Sequence, residues 1–198
     1  ISLVSSNPDE LKAALALLLS EAAKINLHAN ISKTFAHGPL MGACLPATPA
    51  PTGVKILGAW IAAPGNEEAE QNFIKKKRLS HDPLFQKIPQ LSSETSFAVL
   101  RFCAHPVWNY ITRVHPDTPQ ESMKFDACVR STLSKIVDVP IQDFTTDHNK
   151  LMHLPLSKGG GGLRAYELIC QDNYTASLLP DGDDQETRSQ RIDEKIAE

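Results

Sequence analysis

The side chains of this chain that could do chemistry are mainly cations. Lys33 closes the run Asn30-Ile-Ser-Lys33-Thr, residues Lys75, Lys76, Lys77 and Arg78 stand consecutively, and Arg101 and Arg113 follow downstream. A lysine held at a turn can meet a phosphate, and ammonium and guanidinium groups gathered on one face attract nucleic acid in a sequence-independent, salt-sensitive way. Each has a plainer account. Asn is common in tight turns and Lys on any surface, and four consecutive basic residues on a helix point in nearly all directions, as a solvated face would.

Other chemistries find little support. The glycine run 159–162 lacks the order of a phosphate loop, because Lys158 precedes it and Leu163-Arg164 follows it; it reads as an interhelix turn. The seven histidines form no His-x-x-x-His pair, and Cys103 with His105 does not make a metal site. Four widely spaced cysteines, Cys44, Cys103, Cys128 and Cys170, read as buried thiols. No Gly-x-Ser-x-Gly is present. A formal net charge of −3 is not the strongly basic balance that marks nucleic-acid binding by composition, so any such binding must rest on cations that share a face. No apolar run approaches the roughly 20 residues that span a bilayer, and no signal segment is visible. A soluble, intracellular protein without a membrane partner is expected.

The elements that must position these groups fall into three parts. Residues 1–64 read as strand, helix and strands. ISLVSS forms a short apolar strand. Asn7 then caps a helix from Pro8 to Lys24, with Pro8 at its first position and Glu10 completing a capping box. Leu11, Ala14, Leu15, Leu18, Leu19 and Ala22 recur at helical spacing and define one buried face. Strands are expected at residues 33–37 and 54–62, separated by GPLMGACLPATPAPTG, whose four prolines predict a loop without regular structure.

Residues 65–178 turn helical. A helix begins at Glu67 and is broken near Pro83; another runs from Ser92-Ser93-Glu94 to Ala104, Pro106 interrupts, and WNYITRV resumes. Residues 119–137 form a helix with Phe125, Val129, Leu133, Ile136 and Val137 inside, and a last helix covers residues 164–178. The acidic, polar segment 179–198 is expected to be disordered or a solvated helix.

Read in order, the Asn-x-x-Lys-Thr turn, VKILGAWI, FIKKKRLSHDPLFQKIPQL, FAVLRFCAHPVWNYITRV, FDACVRSTLSKIV and LPLSKGGGGLRAYEL resemble the end of the palm and the thumb of non-LTR retrotransposon reverse transcriptases. The resemblance covers nearly the whole chain to about Ser177. It implies an α+β fold: a small strand-helix-strand palm remnant with a β-hairpin, then a predominantly α-helical thumb-like bundle. By that resemblance Lys33 contacts the incoming nucleotide's phosphates and assists the leaving group, and Asn30 shapes the nucleotide-site loop. Val54, Leu57, Gly58 and Trp60 belong to a primer-grip hairpin, with Trp60 either packing or stacking. Lys75, Lys76, Lys77, Arg78, Arg101 and Arg113 are the thumb cations that would bind the RNA template and DNA primer as a duplex.

The parent enzyme in that family is an RNA-directed DNA polymerase using two Mg2+ ions held by an aromatic-x-Asp-Asp turn. That turn precedes a segment resembling ISLVSSNPDEL and does not occur in this sequence, and Asp183-Asp184 has no apolar strand before it. The expectation is therefore a fragment, truncated element or split reading frame. It would bind no Mg2+ of its own, be inactive alone, and rely on the remainder of the palm and fingers in cis or trans. Two alternatives stand beside it: a non-catalytic helical module from a decayed retroelement that binds nucleic acid or protein, and a purely structural helical domain.

Overall fold

Asn7 starts the first helix. Its side chain accepts the Asp9 amide at 2.9 Å while Pro8 occupies the first position, where no amide donor is needed. Helix α1 spans Pro8–Lys24. The expected capping box does not close: the Glu10 carboxylate instead accepts the Ser5 hydroxyl at 3.1 Å, and Ser5 in turn accepts the Asn7 amide. Asn26, in the left-handed region at φ 59°, ends the helix with paired 6→1 and 5→2 bonds from Leu27 and Asn26 to Ala22 and Ala23.

The computed structural model describes residues 3–30, 33–38 and 47–178. The strand start at Ile1-Ser2, half of the proline-rich loop including Cys44, and the segment 179–198 lie outside these residues. The fold is α+β, and the chain divides into two units, Ile1–Glu70 and Gln71–Glu198.

In the first unit the β structure is smaller than expected. Residues 3–6 form no strand, and Val4 is 95% exposed, because no described strand pairs with them. No residue of α1 is fully buried, so its leucine stripe is only partly covered. Strand β1 (Phe35–Ala36) pairs in parallel with β2 (Thr48–Pro49), which falls within the loop expected to lack regular structure. Pro49 is tolerated because the ladder uses the amides of Thr48 and Ala50, at 2.8 and 2.9 Å from the Thr34 and Ala36 carbonyls.

The expected strand 54–62 is a hairpin, as the resemblance implies. Strands β3 (Gly53–Ile56) and β4 (Ala59–Ala62) are antiparallel, with Lys55 opposite Trp60 and Gly53 opposite Ala62. Leu57 and Gly58 turn the chain at φ 49° and 92°. Two consecutive left-handed residues match the right-handed twist of the flanking strands. Trp60 lies across Gly53, where an added Cβ would come within 2.6 Å of the indole nitrogen. The indole thus packs in the hairpin over the one residue type that leaves it room.

Helix α2 (Glu67–Leu79) leads into α3 (Asp82–Lys87), α4 (Ser93–Val99), α5 (Val107–Val114), α6 (Pro119–Ile136), α7 (Thr146–His153) and α8 (Tyr166–Ser177). The core of the second unit is aromatic. Trp108 stacks on Phe125 at 4.9 Å, and the edges of Phe85 and Tyr166 meet Phe125 at 5.4 and 5.9 Å. Such pairs add to the area term. The Trp108 indole donates to Ser122 Oγ at 2.9 Å, which satisfies its buried polar atom. Phe125, Val129, Leu133 and Ile136 form the inner face of α6 as expected; Val137 lies beyond the helix and is half exposed.

Candidate phosphate-binding cleft

Pro106 shapes the entry to α5. A proline has no amide and its ring crowds the carbonyl four residues back, and directly before it the helix widens into one π turn, Leu100–Ala104. The His105 amide there reaches the Leu100 carbonyl, five residues back, at 2.8 Å. Turns of this kind are frequent at functional sites. This one carries Arg101 and Phe102, with the Arg101 guanidinium over the Phe102 ring at 4.7 Å.

The facing wall is the glycine run and the residue after it. Every amide from residue 159 to 163 is already bonded: Gly159 to Leu156, Gly160 to Pro155, Gly161 to Leu151, Gly162 to Leu154 and Leu163 to Met152, at 2.8 to 3.1 Å. None is left to cradle a phosphate, so the run is the interhelix turn the sequence predicts. Its glycines are needed for close packing. A Cβ at Gly160 would meet the Leu154 carbonyl oxygen at 2.2 Å, and one at Gly162 would lie 3.1 Å from the Arg101 guanidinium.

Arg164 follows, at the mouth of α8. Its terminal nitrogen donates to Asn109 Oδ1 at 3.2 Å. Its backbone is held by His105, whose Nε2 lies 3.0 Å from both the amide nitrogen and the carbonyl oxygen of Arg164. Burial lowers the His105 pKa, so the ring is neutral and engages one or the other according to tautomer. His153 Nδ1 sits 2.9 Å from the Leu163 carbonyl and fixes the loop from the α7 side.

Between these walls lies a cleft of about 480 Å³, lined among others by Arg101, His153, Gly162 and Arg164. A second lobe of about 230 Å³ adds Phe102, His105, Asn109 and Tyr166. Arg101, Gly162 and Arg164 border both lobes, and among the described residues no carboxylate lines either. Among the described residues neither arginine forms an ion pair with an acid. Two guanidinium groups bordering one open concavity can donate several charge-assisted hydrogen bonds to a phosphate.

The remaining cations picked out by sequence lie elsewhere. Arg78 is enclosed in the α2–α6 seam, where its Nε donates to Glu121 at 2.8 Å and its Nη1 lies 3.6 Å from Asp82. Only 13% of its side chain is exposed, so its charge is committed to holding two helices together. Lys75 and Lys76 are exposed on α2, while Lys77 sits over the Phe73 ring at 5.8 Å. Arg113 is exposed on α5 and does not line the cleft.

In the first unit Lys33 is exposed. The Asn30 carbonyl closes the turn before it, accepting the Lys33 amide at 3.0 Å and the Thr34 hydroxyl at 2.9 Å. In the hairpin Val54 and Trp60 are half-buried, and Leu57 at the tip is 93% exposed. Arg164 and Phe102 escaped the sequence reading. Their signals were an arginine two residues after a glycine run and an aromatic beside Arg101 four residues before a proline.

Among the described residues no three metal-ligating side chains converge. No described helix is long and apolar enough to cross a membrane. Comparison of the chain with protein-family models, with curated proteins and with solved structures gives no match.

Proposed function

We propose that this chain is the template–primer-binding, carboxyl-terminal part of a retrotransposon-type reverse transcriptase, with its helical unit gripping the phosphates of an RNA–DNA duplex through Arg101 and Arg164. The observation that carries this reading is the convergence of two guanidinium groups, uncompensated by any carboxylate among the described residues, on one cleft. A phosphodiester is the anion a nucleic acid presents at every step, and contacts to it position the strand without reading sequence. The hairpin tip at Leu57-Gly58 and the exposed Lys33 fit the roles of primer grip and nucleotide-phosphate contact in the same enzyme, alongside the rest of the palm and fingers. Mg2+ would be held by that remainder.

The test is fluorescence anisotropy with a labelled RNA–DNA hybrid across a salt series. The expected result is an affinity that falls linearly in log–log form with salt, and a double variant Arg101→Glu/Arg164→Glu whose slope is shallower by about 2, near one unit per lost phosphate contact. Circular dichroism confirms that the variant stays helical. Binding that ignores salt, or a variant that binds like the parent chain, would sink the proposal. The alternative, a nucleic-acid-binding module without a polymerase partner, uses the same cleft. It is told apart by whether the missing palm and fingers, supplied as a separate chain, restore primer extension that Lys33→Ala then lowers.

A further inference from the structure

The cleft has an aromatic wall that phosphate binding leaves unused. Phe102 is 66% exposed, whereas Leu100 and Ala104 of the same π turn are fully buried. One part of its ring is covered by the Arg101 guanidinium, and it borders the smaller lobe together with Asn109 and Tyr166. Moving an exposed phenyl group from water into contact with another apolar or π surface is favourable. Here the ring stands beside two cations that have no acidic partner among the described residues, at the edge of a concavity of about 230 Å³. A phosphate beside a flat π surface is the arrangement that a nucleotide unit fits, since the ribose links the two at a fixed short distance.

Resting on the phosphate-binding reading above, we infer that the smaller lobe receives an unpaired nucleobase stacked on Phe102 while Arg101 and Arg164 hold the adjoining phosphate. The cleft then holds an unpaired stretch of a strand more tightly than the paired duplex whose phosphates it also grips, because bases in a duplex are stacked on one another and only their phosphates are free to enter. Selectivity among bases is weak, since every base has a π face.

The experiment compares a short oligothymidylate with an abasic strand of equal length and charge, using the full chain. The abasic strand is expected to bind about tenfold more weakly, the lower part of the range for loss of one stacked base. Phe102→Ala should abolish that difference by weakening only the thymidylate, and Phe102→Trp should preserve it. Equal binding of the two strands by the parent chain overturns the stacking inference, and sensitivity of both to Arg101→Glu/Arg164→Glu would then leave the phosphate reading intact. A Phe102→Ala chain that loses both strands equally also overturns it, since the ring would serve only to hold Arg101. If charge reversal at both arginines affects neither strand, the phosphate reading and the inference built on it fail together.

Discussion

The α2–α6 seam and the cleft between the π turn and α8 are built with the same residue type to opposite ends. In the seam Arg78 meets Glu121 and Asp82, and Lys124 reaches the second oxygen of Glu121. In the cleft Arg101 and Arg164 meet an aromatic ring, an amide and a glycine, but no acid among the described residues. Local supply of carboxylate decides whether a guanidinium becomes structural or stays available to an anion. The carboxylates show the same division. Burial opposes ionisation of Glu121, yet hydrogen bonds from Lys124 and Arg78 hold its pKa below the ordinary value. Asp126, also on α6, has no such pair, and burial pushes it from 3.8 to about 6 although the Glu167 amide donates to it at 2.8 Å.

The largest effect should come from breaking the seam. Glu121→Ala leaves Arg78 nearly enclosed without its closest counter-charge, and loss of one partner of a buried pair costs about 3 kcal/mol. Urea denaturation should show a drop of that order with the m-value unchanged. A change below about 0.5 kcal/mol, the range of ordinary surface substitutions, would mean that Arg78 relaxes into water, and the division between structural and available arginines would lose its basis.

Asp126→Asn should act in the opposite direction, by about 2 kcal/mol. The substituted amide oxygen can still accept the Glu167 amide, while the buried charge is gone. Because the folded-state pKa is raised, the penalty for ionising Asp126 is absent below about pH 4, grows between about 4 and 6, and is complete above 6. Asp126→Asn should therefore match the parent chain near pH 4 and melt higher at pH 7 to 8. Glu121, with its lowered pKa, contributes stability above its ordinary value of 4.5 and loses it in more acid solution. Equal melting temperatures for Asp126→Asn and the parent chain at pH 8 would show that the ionised carboxylate is better compensated, with the half-buried Arg130, whose Nε is enclosed, as the candidate partner.

A smaller effect, about 1 kcal/mol, is expected for Gly162→Ala. The residue sits at φ 64°, where an L side chain is strained. Its Cβ would also press on Arg101 at 3.1 Å, so affinity for the RNA–DNA hybrid should fall along with stability. Lost stability with unchanged affinity would separate the glycine from the positioning of Arg101.

Local signals in the sequence served well where the structure is local. The bounds of α1 follow from Asn7-Pro8 and the leucine spacing, and the inner face of α6 from Phe125, Val129, Leu133 and Ile136. Helix α7 went unread because its capping box joins Thr145 to His148 instead of Glu or Gln, and Met152 is its only fully buried residue. ISLVSS has the composition of a strand, but a strand needs a partner that composition does not supply. The hairpin turn is hidden by Leu57, a residue type rarely placed in the left-handed region. The site is harder still. Arg78 and Glu121 are 43 residues apart, and His105 and Arg164 are 59 apart. Whether a cation is paired or free is therefore decided by packing that no run of basic residues reveals.

The smallest effect belongs to the double variant Lys75→Glu/Lys76→Glu. Both side chains are exposed on α2, so stability should stay within about 0.5 kcal/mol of the parent chain. Sequence alone ranks these lysines with Arg101 as contacts to nucleic acid; the geometry ranks them lower, since they border neither lobe of the cleft. They contribute only long-range attraction, which the Debye length of roughly 8 Å at physiological salt largely screens. The hybrid affinity of this variant should therefore fall at low salt and approach that of the parent chain as salt rises. The Arg101→Glu/Arg164→Glu variant should instead remain impaired throughout. If the lysine variant loses more affinity at physiological salt than the arginine variant, the comparison inverts: the working cations would lie on the open face of α2, and the cleft would be a feature of packing.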